Sequence, residues 1–419
     1  MKRWLILGAG VVLQMVLGGL YAWSEFASPL MKTYGLSQGQ CGTIFGVTVA
    51  SFAVAMIPGG KILHALGMRV TACAGAALYA LGYVLASFSQ GSFPVLLACF
   101  GLFIGPGTGI GYVCPLTAGL KWFPRNRGLV TGVAVAGFGG GAIVLSQTAE
   151  YLMYQAGYQV LDVFCFIGLI PGTIALLAAL GLSEPECHEH KSHDLASDAL
   201  RRHVFSREFL LISFGMFTGT FAGLLIIGNL KPMMALAGLS TGQATLSITI
   251  FALGNLLGRI VWGKVHDLLG SRFTCLATFG FFAGAILLMV SQGDGWLLLG
   301  VGMAGSGFGS CFVIFASAVV EKFGVRLFPK LYPWCFLAYG LAALIGPPVG
   351  GFIMDRTGSV GGGLLLSLGL ILTNLLVIAL WWGDAAPGMV APGAGVDPAL
   401  HLSGQEPAVK APRRSCPPA

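Results

Sequence analysis

The stretch Gly263-Lys-Val-His-Asp-Leu-Leu-Gly-Ser-Arg272 has a counterpart far upstream, Gly60-Lys-Ile-Leu-His-Ala-Leu-Gly-Met-Arg69. Gly60, Lys61, Gly67 and Arg69 match Gly263, Lys264, Gly270 and Arg272 at a constant offset of 203 residues. Each copy follows one long apolar run and precedes another. Self-similarity of this kind marks a repeated unit, here two helices joined by a short basic loop. Two further apolar runs carry matching glycine triplets, Gly105, Gly107 and Gly109 in one and Gly305, Gly307 and Gly309 in the other. The chain therefore reads as two homologous helical bundles.

Composition names the solvent of those bundles. The 419 residues are 56% hydrophobic and 9% charged, where soluble chains are about a quarter charged. Most of the 64 glycines sit within apolar runs, as expected where small residues let helices approach in lipid. A bilayer core needs about 20 apolar residues per helix. Twelve such stretches lie near 4–26, 43–63, 70–88, 94–116, 129–148, 161–182, 209–230, 244–263, 273–291, 296–320, 333–353 and 362–383. The expected fold class is all-α and integral to the membrane, with twelve transmembrane helices as two six-helix bundles. The run after Met1-Lys2-Arg3 is too long for the apolar region of a secretory signal, so it reads as the first span, with a cleaved signal as the alternative.

The formal net charge of +7 comes from basic residues in short loops, which report topology and not nucleic-acid binding. With the N-terminus inside, the outside loops hold Lys32, Lys231 and Arg356. With Arg259 set aside in a span, the other 19 of the 23 basic residues lie on the cytoplasmic side. Both termini are expected in the cytoplasm and the chain in the cell inner membrane, as a monomer. The expected organisation is a first bundle over 1–182, a cytoplasmic central loop over 183–208, a second bundle over 209–383 and a disordered cytoplasmic tail over 384–419. The ten cysteines lie mostly in apolar runs without CxxC spacing, so neither a disulfide framework nor a metal site is expected. His188, His190 and His193 beside Cys187 are spaced loosely and read as solvated. No phosphate-binding loop, catalytic triad or metalloprotease spacing occurs, so the expectation is a non-enzyme without a cofactor.

The segment from Gly263 to Arg272 resembles the signature loop of the major facilitator superfamily, Gly-x3-Asp-x2-Gly-x-Arg. The resemblance implies a cytoplasmic gate at Gly263, Asp267 and Arg272, with Asp267 either paired to Arg272 or placed at a helix N-terminus, where negative charge is favoured. The first-half copy departs from the pattern: His64 stands where the aspartate belongs, leaving His64 and Arg69 as a weaker, pH-sensitive version. Three further stretches resemble the oxalate/formate antiporter family and the related monocarboxylate transporters. They are Tyr21-Ala-Trp-Ser-Glu-Phe26, Tyr112-Val-Cys-Pro115 followed by Lys121-Trp-Phe-Pro-Arg-Asn-Arg-Gly128, and Tyr339-Gly-Leu-Ala-Ala-Leu-Ile-Gly-Pro347 with Asp355-Arg-Thr-Gly358. Similarity covers residues 1–383 and leaves out the tail.

In that family an arginine in the eighth helix grips the substrate carboxylate, and the matching residue in Asn255-Leu-Leu-Gly-Arg259 is Arg259. The chemistry points the same way. Arg259 is, on this mapping, the only basic residue in a span apart from Lys61, which lies within two residues of the end of its run. A central charge costs about 2.5 to 3.5 kcal/mol on insertion scales, and a guanidinium fork matches a carboxylate in bidentate geometry. The alternative is that Arg259 snorkels to the cytoplasmic surface. Oxalate-carrying members have a lysine where Tyr339 stands, which favours a monocarboxylate here. Animal monocarboxylate transporters carry an aspartate where this chain has Asn255, so that route to proton coupling is missing. Glu25 is the other candidate for coupling, unless it faces water near the membrane interface. Tyr21, Tyr112 and Tyr339 are candidates to close the pocket, against a plain packing role. The function expected is alternating-access transport of a small organic anion of the formate, lactate or pyruvate class, by exchange or with protons. Efflux of larger amphipathic compounds and a non-transporting sensor are the alternatives. The partners expected are that anion and membrane lipid.

Overall fold

The computed structural model describes residues 2–123, 127–184, 202–291, 294–324 and 327–382. The expectations for Cys187, His188, His190 and His193 and for the tail fall outside the described residues. Within them the chain is helical and contains no strand. Helix α1 (Lys2–Gly18) passes through a 3-10 turn into α2 (Trp23–Tyr34), and α3 (Gln38–Leu66) and α4 (Met68–Ser87) follow. A π-helical turn separates α5 (Phe93–Cys99) from α6 (Gly105–Trp122), and α7 (Arg127–Glu150) and α8 (Val160–Leu180) complete the first half. The second half comprises α9 (Arg207–Leu236), α10 (Thr241–Val290), α11 (Asp294–Phe323), α12 (Phe328–Thr357) and α13 (Gly361–Trp381).

Ten of the described helical stretches are long and apolar enough to cross a membrane. One of them, α10, runs for 50 residues and bends at Gly270 into two arms. Helix α7, at 24 residues, spans about 36 Å at 1.5 Å per residue. The second arm of α10 and α7 together account for the difference between ten and the twelve expected. Outward faces are apolar, with Leu177, Leu257, Ile260, Leu376 and Leu380 more than half exposed, while polar Gln14, Thr48, Asn229 and Asn374 are buried. That inversion suits lipid, where a polar group is tolerated only against protein or a wet cavity.

The sequence repeat corresponds to a repeat of backbone conformation. Gly67, between α3 and α4, has φ 78° and ψ 167°, and Gly270 in α10 has φ 74° and ψ 171°. Only glycine enters this region freely. The two helices that lead into these bends also begin alike, with a capping box of Ser37 and Gln40 on α3 and of Ser240 and Gln243 on α10. These caps recur at the same offset of 203 and satisfy the first backbone N–H groups of each helix. The glycine triplets match in use as well. A methyl at Gly105 or Gly109 would overlap the α3 backbone, and one at Gly107 would overlap α4. In the second half a methyl at Gly305 or Gly309 would overlap the first arm of α10, and one at Gly307 would meet Phe282 on the second arm. Two helices in each half thus meet a third at these glycines, through backbone-to-backbone approach in every case except Gly307, which receives the Phe282 ring.

Gly270→Ala is expected to lower stability by about 1 to 3 kcal/mol, because the φ/ψ pair excludes a Cβ although the surrounding space is open. Gly280→Ala, also in open space but without a positive φ, should show no loss. Thermal melts of the purified variants check the pair, and equal melting temperatures would contradict the backbone argument.

The end of the bundle holding Lys2 and Trp382 is called the termini end, and the opposite one the far end. Among the described residues, the polar ties between halves run from mid-height to the far end. Asp355 on α12 accepts from the backbone N–H groups of Gln38 and Gly39 at 2.9 and 2.8 Å, a carboxylate at the positive end of α3. Gln38 Nε2 donates to Asn229 Oδ1 on α9 at 2.6 Å, and Gln147 Nε2 on α7 donates to Thr249 Oγ1 on α10 at 3.1 Å. Small residues let α3 and α12 close on each other there: a methyl at Gly42 or Gly46 would overlap the carbonyls of Pro347 or Ala343. The far end is closed in this conformation.

At the termini end the expected pairing of Asp267 with Arg272 does not form. Asp267 is exposed and its nearest partner is His266 Nδ1 at 3.9 Å. Arg272 donates from Nη2 to the carbonyl of Ala379 on α13 at 3.1 Å. The bend at Gly270 turns the arginine toward α13, so it ties a helix end to its neighbour instead of answering the aspartate in its own loop. His266 bonds Ser271 Oγ at 2.9 Å, and Ser271 donates in turn to Glu321 on α11. In the first half Arg69 donates from Nε to Leu182 O at 3.3 Å, while His64 is exposed. Gly263 lies against Val313 on α11.

Candidate functional site

Arg259 lies on the first arm of α10, eleven residues before the bend, or about 17 Å along the axis. Its Nε donates to Asn255 Oδ1 at 2.9 Å, and its guanidinium carbon sits 4.8 Å from the centroid of the Phe312 ring on α11. Asn255 is one turn closer to the far end, so the side chain is held toward the middle of the bundle and not drawn out to the termini end. The snorkelling alternative does not match this rotamer. Gly309 makes the arrangement possible: a side chain there would collide with the Asn255 carbonyl and push α11 and its Phe312 away.

Tyr21, Tyr112 and Tyr339 come together around this centre, all within the electrostatic field of Arg259. Tyr21 and Tyr339 share a hydrogen bond of 2.8 Å between their hydroxyls, one from each half. Phe312 packs edge-on against Tyr339 at 5.3 Å, Phe138 against Tyr21 at 5.5 Å and against Tyr112 at 5.2 Å. These T-shaped contacts fix the rings and leave their hydroxyls directed by polar partners. Tyr332, absent from the sequence-based candidates, joins them in the same field and donates to Phe312 O at 3.3 Å. Among the described residues no carboxylate pairs with Arg259. The arrangement is one fixed cation among aromatic, hydroxyl-bearing side chains.

Glu25 is not near Arg259 and does not face water. It is fully buried on α2, its carboxylate bonded to Lys231 Nζ and, at 3.0 Å, to Thr245 Oγ1. Lys231 was expected in an outside loop. Instead α9 continues to Leu236 and carries Lys231 as a buried residue of a spanning helix, 3% exposed. The expectation that Arg259 is the only basic residue in a span, Lys61 near the end of its run aside, is overturned by this lysine. Twenty-odd apolar residues from 209 satisfy a bilayer, so a span counted that way stops at 230, six residues short of the helix end at Leu236. With Lys231 removed from the outside loops, the basic asymmetry that oriented the chain becomes stronger.

The family model described as Major Facilitator Superfamily matches residues 7–326 and 212–414. The oxalate:formate antiporter of Oxalobacter formigenes is 26% identical to this chain over 85% of its length and 86% of that protein's. Monocarboxylate transporter 11 of Mus musculus is 23% identical over 89% of this chain and 86% of its own. Among solved structures, a D-xylose-proton symporter superposes with a TM-score of 0.70 at 15% identity, covering 90% of this chain and 97% of the symporter.

Proposed function

Because the chain belongs to the major facilitator superfamily, we propose that it carries small monocarboxylate anions across the membrane by alternating access, with Arg259 as the residue that binds the carboxylate. The carrying observation is a guanidinium held toward the middle of the bundle, unpaired by any described carboxylate and with Tyr112 and Tyr339 within reach of its charge. Asn255 occupies Nε and Phe312 supports one face of the plane. The two Nη nitrogens then present the fork that matches two carboxylate oxygens. The names of the oxalate:formate antiporter and of monocarboxylate transporter 11 support an anion of this class.

The far end is closed here by Asp355 of α12 against the start of α3, by Gln38 with Asn229 and by Glu25 with Lys231. With the termini in the cytoplasm, the closed far end is the outward one. Rocking of the two halves around the Tyr21–Tyr339 contact would expose Arg259 to either side in turn. Tyr339 also bears on the choice of substrate. A neutral hydroxyl cannot compensate a second carboxylate taken out of water, so dicarboxylates are disfavoured.

The test is a thermal-shift series on purified protein with formate, lactate, pyruvate and oxalate against the uncharged amides of the same acids. At least one monocarboxylate should stabilise the wild type, with oxalate and the amides inactive. Tyr339→Lys should shift the response toward oxalate. Stabilisation by an amide equal to that by its acid, or an unchanged response to oxalate in Tyr339→Lys, would contradict the reading.

A further inference from the structure

Glu25 and Tyr154 belong to the first half, Lys231 and Thr245 to the second. The two oxygens of the Glu25 carboxylate have separate donors, Lys231 for one and Thr245 Oγ1 at 3.0 Å for the other. Lys231 Nζ also donates to Thr245 at 3.0 Å and lies 4.6 Å from the centroid of the Tyr154 ring. Gating alone requires only that the halves attract. Here one wall supplies both a cation and a hydroxyl, converging on a carboxylate in the way a carboxylate ligand is held. If the halves separate as units when the far end opens, Glu25 and Tyr154 withdraw together and Lys231 and Thr245 stay together without that carboxylate.

We propose that Lys231 and Thr245 form an entry subsite for a carboxylate anion at the far end of the carrier, filled by the carboxylate of Glu25 as an internal stand-in while that end is closed. The proposal rests on the reading of the chain as a carboxylate carrier. Thr245 and Arg259 lie on the same arm of α10, fourteen residues or about 21 Å apart. An anion held at the mouth therefore has a second cation further along one continuous wall. The anion and Glu25 compete for the same two donors. A bound carboxylate thus stabilises the open far end, by its differential affinity for that state. Substrate outside would favour the conformation that admits it.

The experiment uses the full-length protein and, as probes, formate, lactate and pyruvate as sodium salts against sodium chloride at equal ionic strength. Lys231→Gln alone leaves Glu25 buried without its cation and is prone to misfold, so the main variant is the neutral pair, Glu25→Gln with Lys231→Gln. Hydrogen exchange is followed in peptides spanning 23–34 and 228–248, and KM is measured from each face in oppositely oriented vesicles. In the wild type at least one carboxylate should raise far-end exchange severalfold over chloride. In the neutral pair exchange should be raised already and should not respond. Its far-face KM should rise about tenfold relative to its KM from the other face. A carboxylate response that depends on Lys231, in a protein that transports none of the three, would uphold the subsite and overturn the transport reading. Carboxylate transport with unchanged KM on both faces and exchange indifferent to carboxylate would overturn the subsite and leave the transport reading standing.

Discussion

Arg259→Lys is expected to reduce transport by about ten- to a hundredfold without loss of the folded protein. A lysine keeps the charge but not the geometry. In the wild type, Asn255 and Phe312 hold the guanidinium in one plane, and a carboxylate accepts two parallel bonds from it. An ammonium offers a point charge on a flexible stem, with no flat face to rest on Phe312. Losing one charge-assisted hydrogen bond costs about 1.5 to 3 kcal/mol, which converts to the stated range at about 1.4 kcal/mol per tenfold. Initial rates of labelled carboxylate uptake, normalised to protein of unchanged size-exclusion profile, check it. Near-normal transport by the lysine variant would mean that charge alone matters and that the fork has no role.

The second large effect concerns the mode of transport. In the empty carrier Arg259 is a cation that must pass through a closed state. Asn255 and the Phe312 face offer partial compensation, since neither carries a negative charge. With a carboxylate bound, the same site is neutral and its donors are satisfied. If the loaded form gains even the lower figure of about 1.5 kcal/mol, it crosses about ten times faster than the empty one. Exchange of labelled substrate should therefore exceed net uptake by an order of magnitude or more. Glu25 remains the candidate for proton coupling, but in this conformation its carboxylate is already held by Lys231 and Thr245. Proton-driven accumulation that disappears in Glu25→Gln would show symport in place of exchange. Equal rates with and without internal substrate would refute the exchange argument.

How far the sequence could be read depended on whether a feature is local. The repeat of Gly60 to Arg69 as Gly263 to Arg272 is a local pattern, and its meaning carried over to matching bends at Gly67 and Gly270. The Ser37–Gln40 and Ser240–Gln243 caps were equally legible as a repeated Ser-x-x-Gln signal, but apolar runs drew attention to the spans and away from their starts. Arg259 with Asn255 was legible because one turn of helix joins them. The partnership of Glu25 with Lys231 was not, because the residues are 206 positions apart and each reads alone as an interfacial charge. Lys231 also directly follows the apolar run that ends at Leu230, where a count of apolar residues ends the helix. The helix continues there because protein neighbours, not lipid, meet its polar side chain. Of the two placements expected for Asp267, the pairing with Arg272 does not form, for a similar reason: adjacency in a loop is outweighed by the bend, which sends Arg272 to the carbonyl of Ala379. Asp355 shows the converse, a motif residue whose contact with the start of α3 only the packing of two halves could reveal.

The central claim, that a carboxylate is carried on Arg259, is tested most directly by counterflow. Proteoliposomes are loaded with unlabelled formate, lactate or pyruvate and diluted into a trace of the same labelled anion, with wild-type protein and with Arg259→Lys. For at least one anion the wild type should accumulate label transiently above equilibrium, and the variant should lose most of that overshoot. No overshoot with any of the three anions, or an overshoot undiminished in the variant, would contradict the account.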